Sequence, residues 1–282
     1  MGLLLLLAGG ARADVRVVGT DLLGVETSRA LYEFSGRMGF PLALAFDGSR
    51  PGWDQLKAGR ADLALLVLAP EDADAVAGFE SLTLAYHCVV VLAPTAVPLE
   101  EITLDQLRGV FSENGSGNLS RWGDLGLEGE VAAAAIVPQV PAVGRGIAVE
   151  FFRHIVQGDR PFKSTVARYA TPAELIPQLT ARRPILALAA TRPVGAPGVR
   201  LVRVAARAGE PAYSPTPENL HSGDYPMRLP LQIVYRRESA VVLRPLLRIL
   251  FGAEFAQLLE RAAVVPLAPA ARQQQLARLE KD

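Results

Sequence analysis

Two strand–helix units follow one another at the start of this chain, and that repetition restricts the fold more than any other feature. Val15 to Val18 is a short apolar run closed by the turn former Gly19. Between Asp21 and Met38, Leu23, Ala30, Leu31, Phe34 and Met38 recur at helical spacing, and Leu42 to Phe46 reads as the next strand. Gly48 and Ser49 open a second helix, Pro51 to Gly59, with proline in its first turn and glycine at its end; a third strand follows at Ala61 to Leu68. Strands joined in this way through helices lie parallel in one sheet, so the chain is read as α/β.

The apolar run Leu82 to Ala93 is long for one strand and is read as a crossover into a second lobe. That lobe is expected to hold a helix at Thr103 to Val110, a strand at Val131 to Val137 and a helix at Gly146 to Val156. A helix at Pro172 to Thr180 and strands at Ile185 to Ala189 and Val199 to Val204 follow. Pro211 to Pro217 has loop composition. A strand at Leu229 to Tyr235 and two apolar-striped helices, Ala240 to Leu250 and Ala253 to Ala263, read as a return to the first lobe. The lobes are therefore placed at 14–93 plus 226–282 and at 94–225, and the glutamine-rich tail after Ala270 is expected to fray.

Of the 282 residues 50% are hydrophobic and 21% charged, enough apolar material for a sizeable core. Lys plus Arg equals Asp plus Glu at 29 each, so no global charge recruits nucleic acid or an anionic membrane. The single Cys88 lies in an apolar run and reads as a small buried hydrophobe. At the N-terminus five leucines precede Ala11-Arg12-Ala13, the small-x-small pattern read by signal peptidase. Residues 1–13 are accordingly expected to be an export signal, with a mature, monomeric protein in the periplasm.

Four segments carry a family resemblance. ITLDQLRGVFS at 102–112 is continued by NLSRWGDLG at 118–126. Gly48-Ser49-x-x-Gly52 leads through a helix to Ala61-Asp62; PTPEN at 215–219 precedes GDYPMRLPL at 223–231. In this order and spacing they resemble the phosphate-binding subunits of bacterial phosphate ABC transporters. The resemblance implies a type II periplasmic-binding-protein fold, two α/β lobes joined by two crossing strands with a ligand cleft between them. It also implies a small-anion ligand, an ABC transporter permease as partner, and no cofactor. Leu229 takes the place of an arginine usual in the last of these motifs.

An oxyanion held without a metal needs helix N-terminal amides, hydroxyl donors and usually a cation. Three places offer them. Thr20 lies between the first strand and first helix, where its hydroxyl either caps the helix, faces the cleft, or does both. Ser49 stands where the resemblance places a ligand-binding serine, its plainer role being a helix cap. Gly144, Arg145 and Gly146 match a Gly-Ser-Gly-Thr loop of the family, but Arg145 and Ile147 replace its hydroxyls and Pro141 replaces an arginine. The position of a family aspartate, which accepts the proton of a protonated oxyanion, falls on Val67.

Three readings follow from these replacements. The pocket binds another anion, such as a carboxylate or organic phosphate, with Arg145 as a forked partner; it binds phosphate weakly in another geometry; or the scaffold serves as a ligand-free interaction or sensor module. An enzyme is not expected. His87, His154 and His221 are far apart, and neither HExxH, GxSxG, a P-loop nor GxGxxG occurs. Trp53 and Trp122 are expected to pack against helix and loop.

Overall fold

The computed structural model describes residues 14–37, 39–67, 78–113, 115, 117–142, 148–158, 160–181, 183–190, 196–262 and 264–280. In chain order the first elements are β1 (Val15–Gly19), α1 (Gly24–Arg37), β2 (Leu42–Ala45), α2 (Ser49–Lys57), β3 (Leu63–Val67) and β4 (Glu80–Cys88). Then come β5 (Val90–Pro94), β6 (Glu101–Thr103), α3 (Leu104–Phe111), β7 (Val137–Pro141) and α4 (Ala148–Phe152). They are followed by β8 (Ala167–Tyr169), α5 (Pro172–Thr180), β9 (Ile185–Ala189), β10 (Val199–Ala205) and α6 (Pro217–Ser222). The chain closes with β11 (Arg228–Tyr235), α7 (Ala240–Leu250), α8 (Ala253–Arg261), β12 (Val265–Pro266) and α9 (Pro269–Leu279).

These strands form two six-stranded sheets, ordered β12-β4-β11-β3-β1-β2 and β6-β10-β5-β9-β7-β8. In the first, β1 pairs parallel with both β2 and β3, as the opening strand–helix units require. All five residues of β3 are buried, the mark of a strand covered on both faces. One face is covered by α2, whose Trp53 and Leu56 pack with Val18, Ala64, Leu66 and Val234. On the other face Phe34 of α1 meets Phe255 of α8 edge to face, with ring centroids 6.5 Å apart.

The run expected as one crossover strand splits at Val89: β4 belongs to the first sheet, and β5 pairs with β9 and β10 in the second. The returning chain meets it there. The buried Tyr225 hydroxyl donates to the Val89 carbonyl at 2.6 Å, and the Val89 N–H donates to the Met227 carbonyl at 3.1 Å. The two connections between lobes are thus tied to each other at one residue, and one continuous apolar core runs through both sheets past Cys88, Val89 and Val90.

Two expectations are corrected. Residues 131–137 do not form a strand: Glu130–Ala133 is a 3-10 turn, and the strand begins at Val137. The alanine run there has no side chain large enough to favour the sheet, and Pro138 and Pro141 stand near the ends of the strand that does form. The tail does not fray, because Pro269 starts α9 and Leu279 is buried, with Ala271 and Leu276 against the core. The loop read at Pro211 to Pro217 ends where α6 begins, a helix capped by the Thr216 hydroxyl accepting from the Asn219 N–H at 3.2 Å. The helix expected from Gly146 is described from Ala148, and its second half widens to a π turn at Arg153–Gln157.

Candidate anion site at the strand ends

The site is built around two glycines that permit a close approach. Gly19, the last residue of β1, has φ 140°, and a Cβ there would lie 2.0 Å from the Leu65 carbonyl oxygen. Gly52, in the first turns of α2, would place a Cβ 2.6 Å from the Gly19 Cα. With neither side chain present, the start of α2 settles directly over the end of β1. The Gly48 N–H donates to the Gly19 carbonyl at 2.9 Å and the Thr20 N–H to the Leu65 carbonyl at 2.8 Å. The Val67 N–H donates to Ser49 Oγ, also at 2.9 Å. Thr20, Ser49 and the end of β3 are therefore brought together at the C-terminal edge of the parallel strands, where open α/β sheets bind ligands.

The chemistry of this corner is that of a donor. Gly48 is the helix cap and has no side chain to cover the first-turn amides of α2, which carry the positive end of the helix dipole. Ser49 Oγ accepts from Val67 and keeps its own proton to give. Thr20 is 1% exposed, and its hydroxyl accepts from the Leu22 N–H at 3.2 Å, so the capping role read from the sequence is present. Val67 brings no acceptor: its side chain is buried in the core with Leu65. Gly144, Arg145, Gly146 and Ile147 lie outside the described residues, between β7 and α4.

The most specific sequence motif of the second lobe is structural. In NLSRWGDLG, Trp122 is fully buried, and Asp124 Oδ2 accepts from the Ser120 and Arg121 N–H groups at 2.8 and 2.9 Å. Those two donors hold the Asp124 carboxyl below its ordinary range. Gly126 closes the turn at φ 89°, a conformation that suits glycine. Beside it, a cavity of about 590 Å3 is bordered by Lys163, whose ammonium is engaged by the carbonyls of Gly109 and Leu119. Burial lowers the pKa of this lysine, yet its hydrogen bonds tie down the end of α3.

At the crossover, His87 is buried, its Nε2 has no partner, and desolvation pushes its pKa down to about 4. Burial likewise pushes the neighbouring Cys88 thiol up to about 12, so it remains an unreactive hydrophobe as its sequence context implied. Among the described residues no group of three or more His, Cys, Asp or Glu is placed to hold a metal ion, and no helix is long and apolar enough to cross a membrane. Sequence reasoning missed the Gly19–Gly52 contact; the signal was present as a glycine ending β1 and another one turn into α2.

No protein-family model matches the chain, and no curated protein matches it in sequence. Solved structures do resemble it. A possible phosphate binding protein from Planctomyces limnophilus superposes with a TM-score of 0.70 at 17% identity, over 95% of this chain and 98% of that one. PstS from Borrelia burgdorferi gives 0.72 at 14% identity, over 91% and 100%. An ABC-type phosphate transport receptor from Vibrio cholerae gives 0.64 at 16% identity, over 89% and 99%. With two mixed sheets, two connections meeting at Val89 and near-complete coverage of these structures, the chain has the type II periplasmic-binding-protein fold.

Proposed function

We propose that this chain is an exported, non-catalytic solute-binding protein that takes a small anion in the cleft between its lobes and delivers it to a membrane transporter. The observation that carries the reading is the corner formed by Ser49, the first-turn amides of α2 that no side chain caps, and the end of β3. Helix amides and a hydroxyl without a carboxylate suit a fully ionised oxyanion or carboxylate. The structural neighbours named for phosphate support an anion as the ligand class, and Arg145 is assigned as its charge partner from the opposing lobe. Closure of the lobes about the crossover would complete the site.

Calorimetric titration with inorganic phosphate, sulfate and small carboxylates tests this. Binding of one of these, lost in Arg145→Ala and weakened in Ser49→Ala, supports the reading; no binding of any of them refutes it. A second reading, a ligand-free interaction module, is favoured by one observation. Val67 is buried in the core at the position where the resembled family has its aspartate, so the acceptor that selects a protonated oxyanion is lacking there.

A further inference from the structure

A second concentration of positive charge lies at the far end of the first sheet. Glu80 and Tyr235 are paired where β4 begins and β11 ends, eight residues from Cys88 at the crossover. At roughly 3.3 Å per residue that is about 25 Å from the hinge. A cavity of about 450 Å3 opens there between the sheet, α7 and α9. Three arginines line it, Arg237, Arg244 and Arg278, against the one carboxylate of Glu80.

That carboxylate is already engaged, since Arg237 Nε donates to it at 2.7 Å. Among the described residues no carboxylate pairs with Arg244 or Arg278. Gln275 also lines the cavity, and its Oε1 is shielded from water without a partner; turned about, the amide would present its two N–H donors at the same place. Solvated arginines are common on surfaces, but two guanidinium groups without a carboxylate partner on one concavity share a single missing component, an acceptor with several lone pairs.

We propose that this cavity is a second anion site, separate from the cleft, for an organic anion bearing a phosphate or carboxylate on an apolar body. The guanidinium groups of Arg244 and Arg278 take the anionic head. Leu82, Tyr235 and Leu279 offer the apolar wall that the body would cover. The volume is within the range of small-molecule pockets and far larger than a bare oxyanion fills.

The test is calorimetry at low ionic strength with phenyl phosphate as probe, on the wild type and on Arg244→Gln, Arg278→Gln and Ser49→Ala. Loss of a charge-assisted hydrogen bond weakens phenyl phosphate binding roughly tenfold to a hundredfold in each arginine variant, and Ser49→Ala serves as the cleft variant against which that loss is compared. Raising salt to 1 M weakens the wild-type interaction. Arg278→Gln alters an exposed side chain and keeps the test valid should Arg244→Gln disturb α7. Absence of phenyl phosphate binding by the wild type at millimolar concentration, or binding by both arginine variants as tight as the wild type's, overturns the proposal. Binding lost only in Ser49→Ala assigns the probe to the cleft and equally overturns it. Inorganic phosphate titrated in parallel on the same variants separates the two sites: a loss confined to Ser49→Ala belongs to the cleft and a loss confined to the arginine variants to this cavity, so failure of one site is distinguishable from failure of the other.

Discussion

Replacing Gly52 by alanine should destabilise the protein, whereas the same change at Gly36 should stabilise it, although both glycines are helical. At Gly52 the added Cβ lies 2.6 Å from the Gly19 Cα and 2.8 Å from its nitrogen. Ordinary contact begins near 3.5 Å, so α2 must retreat by about 1 Å. The bonds from Gly48 N to Gly19 O and from Val67 N to Ser49 Oγ, each 2.9 Å, would then stretch past useful length. Overpacking costs about 1–3 kcal/mol, the weakened hydrogen bonds about 1 kcal/mol each, and the better helix propensity of alanine returns about 1 kcal/mol.

The net loss of about 2–4 kcal/mol corresponds to a fall in melting temperature of about 3–7 °C for a chain of this size. At Gly36, exposed on α1, a Cβ meets nothing within 4 Å. There the propensity gain stands alone, a rise of about 1–3 °C. Calorimetric melting of the two variants beside the wild type reads both signs. A Gly52→Ala protein that melts at or above the wild type would refute the claim that the seating of α2 on β1 depends on the missing side chain.

The buried His87 predicts a specific pH dependence. Its folded pKa of about 4 lies below the ordinary 6.5, so the fold requires the neutral ring. Stability is unaffected above pH 6.5, falls as pH drops from 6.5 towards 4 and levels off below, a loss of order 3 kcal/mol. Urea unfolding at several pH values should show this slope, and His87→Leu should flatten it. Tyr225→Phe leaves the Val89 carbonyl without its donor and should cost about 1–3 kcal/mol in the same assay; an unchanged midpoint would mean the tie between the crossings is dispensable. Cys88 should resist an aromatic disulfide reagent in the native protein and react at once in denaturant, because burial holds its thiol near 12.

Much of this fold could be read before any coordinates, for physical reasons that differ element by element. Helix α5 and strand β9 run over the residues expected because a proline start and an unbroken apolar run are strong local signals. Residues 131–137 misled because alanine carries little preference, and the strand was placed by its partners β8 and β9. The tail misled because glutamine content obscured Leu276 and Leu279, three residues apart on one face of α9. At the site, the hydroxyls of Thr20 and Ser49 could be named from their positions before helices. Their backbone partners, Leu22 and Val67, could not, since the latter depends on a contact between elements eighteen residues apart. The arginines at the far end of the sheet belong to three separate segments and form no motif at all.

The order of strands in the first sheet also sets a timetable for folding. β3 and β4 are consecutive in sequence yet never touch, because β11 lies between them and pairs with both. Every strand of the second sheet, by contrast, lies between Val90 and Ala205. As the chain is made, that sheet can close while the apolar edge of β3 still waits for residues 228–235. Such long-range pairing is slow, and an unpaired apolar strand invites other chains. A chain halted before Arg228 would therefore hold one finished lobe beside an open, adhesive edge, and the final third of the polypeptide acts as the catch that seals the first third.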